Sequence, residues 1–289
     1  MKELFDQSSF EISHHVTRRY STSFSLGIKL FHPSIRNAIY AIYGFVRYAD
    51  EIVDSFGQYD RAVLMDEFIR DYNLAIERKI SLNPILNSFQ HILHKYDLKE
   101  LSDIFLESMM MDLHKSDYHS REDYEKYIYG SADVVGLMCL KVFVNGDINE
   151  YNALKSYATK LGSAFQKVNF LRDFRADNEL LGRSYFPNVA FDDLNEKATK
   201  EIIDEIREDF YEAKIGIRKL PLTARLGVYL AYKYYVVLLR KIERKGVESI
   251  LNNRIRISNS VKMFLVVKTY IRYKSKYTVT NNLALYGTG

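Results

Sequence analysis

The chain has one cysteine, four prolines and no tryptophan in 289 residues. A lone Cys139 excludes an intramolecular disulfide framework and fits a reducing compartment. As a small buried apolar residue it needs no further role. So few prolines, with only 13 glycines, exclude a chain built from tight turns. Long apolar runs are missing too. The longest candidate, Leu226 to Leu239, is interrupted by Lys233 and falls short of the roughly 20 residues that span a bilayer. Met1 to Gln7 lacks the basic start and apolar run of a signal peptide. The expectation is a protein that is soluble or lies on a membrane surface.

Excess charge is also small, at +4, but unevenly placed. Between Lys214 and Lys276 there are sixteen Lys and Arg against two acids, Glu243 and Glu248. These basic residues alternate with apolar helical stretches. They read first as a solvated face, then as a face toward lipid or phosphate, with no nucleic-acid partner expected.

What the chain does have is apolar and aromatic mass: 47% apolar residues, with 23 Tyr and 17 Phe. Helical periodicity runs almost throughout. Helices are expected over Phe10 to Tyr20, Ile35 to Val53, Asp60 to Arg78, Pro84 to Tyr96 and Leu101 to His114. Others follow over Arg121 to Val144, where Gly130 and Gly136 allow close packing or a local kink, and over Glu150 to Asp177, Lys197 to Arg218, Leu222 to Lys245 and Ser258 to Lys274. Ser21 to Ser25 reads as a break, Pro33 as a first-turn residue, Asn149 as an N-cap and Gly246 as the start of a loop. With no repeat, low-complexity tract or linker, residues 1–289 read as one all-α domain.

Two acidic pairs stand out, Asp50/Asp54 and Asp173/Asp177, each a D-x-x-x-D. Residues four apart on a helix share a face, so each pair directs both carboxylates one way. Tyr43 and Arg47 extend the first stripe; Gln166 and Asn169 extend the second. Like charges at this spacing destabilise a bare helix by a few tenths of a kcal/mol. Two such stripes in apolar sequence therefore point to a shared cation, most simply Mg²⁺ carrying a phosphate, with Mn²⁺ as a substitute. Mg²⁺ takes one or two carboxylates and completes its shell with phosphate oxygens and water. Arg47, Arg172 and Arg183 suit direct phosphate contact. A cavity lined by Phe, Tyr, Leu and Met would shield a carbocation left by a departing diphosphate. The bland alternatives are surface acids, an N-cap cluster at Ser21 to Ser25, and core tyrosines at 43 and 129. The seven histidines show no ligand spacing.

Motifs in order then carry a resemblance over nearly the whole chain: Tyr20-Ser21-Thr22-Ser23-Phe24-Ser25, Ala41 through Asp54, and Val135-Gly136-Leu137-Met138. They continue with Leu161-Gly162, Gln166, Asn169-Phe170-Leu171-Arg172-Asp173 to Asp177, and Gly182-Arg183-Ser184-Tyr185-Phe186-Pro187. The chain resembles the squalene/phytoene synthase family of head-to-head prenyl synthases, and within it the bacterial phytoene synthases. The resemblance implies an isoprenoid-synthase-type helical bundle around a central apolar cavity. It implies that Asp50, Asp54, Asp173 and Asp177 bind Mg²⁺, and that Ser21, Ser23, Tyr43, Arg47, Gln166, Asn169, Arg172 and Arg183 contact or orient diphosphate. Tyr129, Tyr235 and Arg254 fall at further cleft positions.

The implied reaction joins two geranylgeranyl diphosphates through a cyclopropylcarbinyl diphosphate to phytoene, the first step of carotenoid biosynthesis, without NADPH. The alternatives are a squalene, dehydrosqualene or hydroxysqualene synthase acting on farnesyl diphosphate, and an inactive assembly subunit. So apolar a substrate and product imply a cytoplasmic enzyme peripheral at the inner face of the cell membrane, with the basic C-terminal third as the contact. Many relatives carry Gly and Glu where this chain has Arg175 and Ala176, and Arg175 is expected to point away from the aspartates.

Overall fold

The structure, a computed structural model, describes residues 1–114, 120–181, 185–187 and 194–271. Among the described residues every regular element is a helix. In chain order these are α1 (Lys2–Tyr20), α2 (Thr22–Lys29), α3 (Pro33–Ser55), α4 (Arg61–Arg78), α5 (Pro84–Tyr96) and α6 (Lys99–His114). They continue with α7 (Arg121–Ile128), a π-helical turn (Tyr129–Asp133), α8 (Val134–Phe143), α9 (Ile148–Leu181), α10 (Glu196–Lys219) and α11 (Leu222–Asn252). Residues 259–271 form a last helix, α12. None of them is long and apolar enough to cross a membrane.

Local chemistry sets the helix ends. Asp60, Asn83, Ser120 and Asn195 each accept backbone N–H groups at an N-terminus, capping α4, α5, α7 and α10. Pro33 opens α3, where its missing N–H costs nothing.

Several expectations need correcting. Ser21 to Ser25 is no loop: Ser21 alone is extended (φ −142°). Its N–H bonds Thr17 O at 2.9 Å, and its hydroxyl accepts Phe24 N–H at 3.2 Å. One residue thus closes α1 and caps α2. The N-cap of α9 is Asp147, whose carboxylate accepts the N–H groups of Asn149 and Glu150. Asn149 therefore lies inside the helix. Within 121–144 the local kink expected at Gly130 takes the form of the π turn, and Gly130 and Gly136 pack closely on Ser108 and Ala158. Gly246 (φ 73°) leaves helical geometry where the break was expected, but a further helical stretch, not a loop, carries α11 on to Asn252.

Two packed halves share one core. In the first, α3 lies against α1, α5 and α6, with Phe45 stacked on Phe89 at 3.9 Å and flanked by Phe68, Tyr72 and Phe105. In the second, α9 runs 34 residues, about 50 Å, against α8, the π turn, α10 and α11. A buried ionic network fixes its rotation. Lys167 lies between Glu205 (2.5 Å) and Asp209 (2.6 Å) on α10; Lys160 also reaches Asp209, and Arg121 grips Glu205. On the neighbouring turn Asp133 accepts the Ser163 hydroxyl, and burial pushes its carboxyl up to about 7. With Lys167 turned to α10, its neighbour Gln166 faces inward, toward α3. The α2–α11 crossing is close: a Cβ on Gly227 would fall 2.7 Å from Gly27 O and 2.3 Å from the Phe31 ring.

Candidate active site

The two acidic helices, α3 and α9, meet across a polar basin of about 260 Å³. Asp50 and Asp54 line it from α3; Asp173 and Asp177 line it from α9. It opens into an apolar cavity of about 530 Å³ walled by α2, α3, α8, α9, α10, α11 and α12. Arg47, Asp50, Gln166, Asn169, Arg172 and Arg254 border both spaces. A polar head and an apolar tail are thus accommodated side by side, with charged groups confined to one end. The larger cavity lies within the usual range for small-molecule sites.

Asp50 is only partly open to the cavity. Burial, together with the Asp54 carboxylate one turn on, pushes its carboxyl up to about 7. The charged form of Asp50 is disfavoured here, and a nearby cation would favour it. Asp173 is already engaged: Arg172 pairs with it from the preceding position, and Arg254 reaches it from beyond α11 at 2.6 Å. Burial opposes the charge of Arg172, yet the bond to Asp173 holds its guanidinium above its ordinary range. Arg47 pairs with Glu51 and covers the Tyr20 ring at 4.6 Å, while its buried Nε has no partner. A buried donor of this kind fits an incoming anion.

The remaining positions line the apolar cavity. Ser21 and Ser23 come from the start of α2, with Tyr43 beside them on α3. Burial pushes the Tyr43 hydroxyl up to about 12, so it stays protonated and can donate. Tyr235 stacks on Phe165 at 3.9 Å and donates to Asn169 Oδ1 at 3.2 Å, orienting that amide beneath the acidic turn. Arg175 turns away, as expected, to Glu179 and to Asn252 O.

Tyr129 is not brought to the site. It is 41% exposed and lines neither space. Two residues on a helix differ by roughly 200°. The tyrosine that enters from this element is therefore Tyr127, which borders the polar basin with Ser131. Arg183 lies outside the described residues.

Sequence reasoning also missed Asp112. This fifth acid of the basin is buried on α6, and it accepts the Tyr127 hydroxyl at 2.6 Å. The available signal was a single acid within Met109-Met110-Met111-Asp112-Leu113, an apolar stretch where an acid needs partners.

Carboxylate oxygens suit a hard divalent cation such as Mg²⁺. Among the described residues no three His, Cys, Asp or Glu side chains converge to enclose an ion unaided. An ion placed here would rest on one or two carboxylates and complete its shell with diphosphate oxygens and water. The crowded Asp50/Asp54 pair and the unpartnered Arg47 donor both fit such a metal–diphosphate group.

Comparisons with known proteins agree with this geometry. The sequence pattern of the family described as squalene/phytoene synthase matches residues 17–260. The chain is 28% identical to the 15-cis-phytoene synthase of Synechocystis sp., over 92% of this chain and 86% of that one. It is 29% identical to the 15-cis-phytoene synthase of Enterobacter agglomerans, over 79% and 83%. Among solved structures it overlays a dehydrosqualene synthase with a TM-score of 0.81 at 20% identity, covering 93% of this chain and 98% of that one. A squalene synthase from Alicyclobacillus acidocaldarius follows at 0.73 and 22%, covering 83% and 95%.

Proposed function

Because the chain belongs to the squalene/phytoene synthase family, we propose that it joins two prenyl diphosphates head to head, with loss of diphosphate, in a Mg²⁺-dependent reaction. The observation that carries this reading is the pair of facing acidic stripes at the polar mouth of a deep apolar cavity.

Asp50 and Asp54 from one helix, and Asp173 and Asp177 from the other, would hold cations along the basin, one or two carboxylates to each ion. When bound, it supplies Lewis-acid stabilisation of the charge on the departing diphosphate. The chain's own groups do the rest. Arg47 offers its free Nε donor to a diphosphate oxygen, and Arg172 and Arg254 bring fixed positive charge to the same rim. Tyr43 donates a hydrogen bond at the boundary between head and tail. Behind it, Phe165 and Tyr235 present ring faces that stabilise an allylic cation, and the apolar wall keeps water from capturing it.

Two chain lengths are compatible with this chemistry. The names of the sequence relatives speak for geranylgeranyl diphosphate and phytoene. The second reading is farnesyl diphosphate, with two C15 chains in the cavity of about 530 Å³. The fold likeness to a dehydrosqualene synthase fits that second reading.

Mass spectrometry of products from each diphosphate, with Mg²⁺ or EDTA and with or without NADPH, tests the proposal. A C40 hydrocarbon indifferent to NADPH establishes phytoene synthesis. A C30 product establishes the farnesyl reading, and its NADPH dependence separates squalene from dehydrosqualene. Absence of any condensation with Mg²⁺ would overturn the synthase reading, and full activity in EDTA would overturn the metal assignment.

A further inference from the structure

Helix α12 is apolar on two faces, one of them turned inward and the other exposed. Leu265 and Thr269 are buried, and Lys262, Leu265 and Val266 line the apolar cavity. On a helical projection Met263, Phe264, Val267, Tyr270 and Ile271 fall together on the opposite arc, about a third of the circumference. Each is 44 to 60% exposed. Of the twenty large apolar side chains exposed among the described residues, these five and Val261 occupy one thirteen-residue helix. Isolated exposed apolar residues need no explanation; a continuous stripe does.

Its surroundings indicate what covers it. No acid follows Glu248 in the chain, whereas Arg254, Arg256, Lys262 and Lys268 lie between there and Ile271. Lys268 borders the stripe with its ammonium 5.5 Å from the Phe264 ring, an apolar stem and a charged tip at one edge. Charge and apolarity together match an anionic interface. The helix is also the wall of the cavity, so its outer stripe is one helix thickness from the space behind it. Lys262 ties it to Thr22 on α2 at 3.0 Å, next to Phe24, which is both exposed and cavity-lining.

We propose that α12 docks its outward apolar face into the surface of an anionic lipid bilayer, placing the cavity against the membrane so that hydrophobic chains pass between the two. This rests on the prenyl-chain reading of the cavity. It moves the membrane contact from the general basicity of the C-terminal third to five apolar side chains.

Co-sedimentation of the full chain with phosphatidylcholine vesicles, with and without phosphatidylglycerol and in the absence of substrate, tests it. The wild type is expected to bind the anionic vesicles. The double variant Phe264→Gln/Ile271→Gln, altered only at exposed positions, should lose about tenfold or more in partitioning at both low and high salt. Leu82→Gln, at an exposed apolar residue elsewhere, should bind as wild type. Undiminished binding by the double variant, or no binding by the wild type, overturns the proposal. So does sedimentation velocity showing a wild-type dimer that the double variant loses, because the stripe is then a self-interface. Turnover of detergent-dispersed substrate reads the synthase proposal separately. Vesicle binding without turnover removes the synthase reading and leaves the docking face; turnover without vesicle binding removes only the docking face.

Discussion

Asp50 and Asp173 occupy opposite electrostatic situations in one basin. Asp50 is crowded by Asp54, whereas Asp173 is held by Arg172 and Arg254. Substituting either by Asn should cost about 100-fold or more in turnover. The two variants should part in stability. Asp50→Asn relieves a like-charge contact and should melt no lower than wild type without ligand. Asp173→Asn strands two guanidinium groups and should melt lower. Diphosphate release and thermal melts check both.

Outside the site, Asp133 offers a pH test, because burial lifts its carboxyl from 3.8 to about 7. Between those values the folded protein keeps a proton that the unfolded chain has released. This contribution is fully present below about pH 4 and is lost as pH rises through about 7. Asp133→Asn should therefore show a smaller fall in melting temperature between about pH 5 and pH 8. An unchanged slope would assign the titration elsewhere. Acids of this kind differ in legibility. The stripes were readable because polar residues recurred at helical spacing in apolar sequence. Asp112 had no recurring partner, and its role depends on α6 meeting Tyr127 across a tertiary contact.

At the scale of elements, the long helices were legible from periodicity and caps, and the junctions were not. α2 escaped because Ser21 ends one helix and caps the next, leaving no polar linker to mark the boundary. Gly130 marked the place of a local kink, but the extra residue of a π turn leaves no signature in composition. Tyr129 was placed by the family resemblance, and it is Tyr127, two residues earlier, that borders the basin. The α2–α11 crossing gives a direct test. In Gly227→Ala the added methyl meets a backbone carbonyl as well as the Phe31 ring, so rotation of a side chain cannot relieve it. A loss of about 1–3 kcal/mol is expected in denaturant melts. Turnover should fall with it, because both helices wall the cavity. A variant as stable as wild type would mean that the crossing is looser than described.

For the molecule as a whole, composition and period conveyed the all-α class, whereas the central apolar cavity was what the family resemblance implied. The depth and closure of that cavity did not follow, since they depend on seven helices converging from distant parts of the chain. α9 is common to most of this convergence. It carries Gln166, Asn169, Arg172, Asp173 and Asp177 on one side and the Lys167 network on another. With α8, α10, α11 and the π turn all packed on it, it cannot fray locally without dismantling its neighbours. Ala164, Val168 and Leu171, each fully buried, mark the centre of this contact. In deuterated solvent, the backbone amides around these three should exchange only when the entire chain opens, and so report its global unfolding free energy. Those of α12, with an exposed outer face, should exchange orders of magnitude sooner. The catalytic groups would then ride on the slowest part of the protein, and the access route to them on one of the fastest.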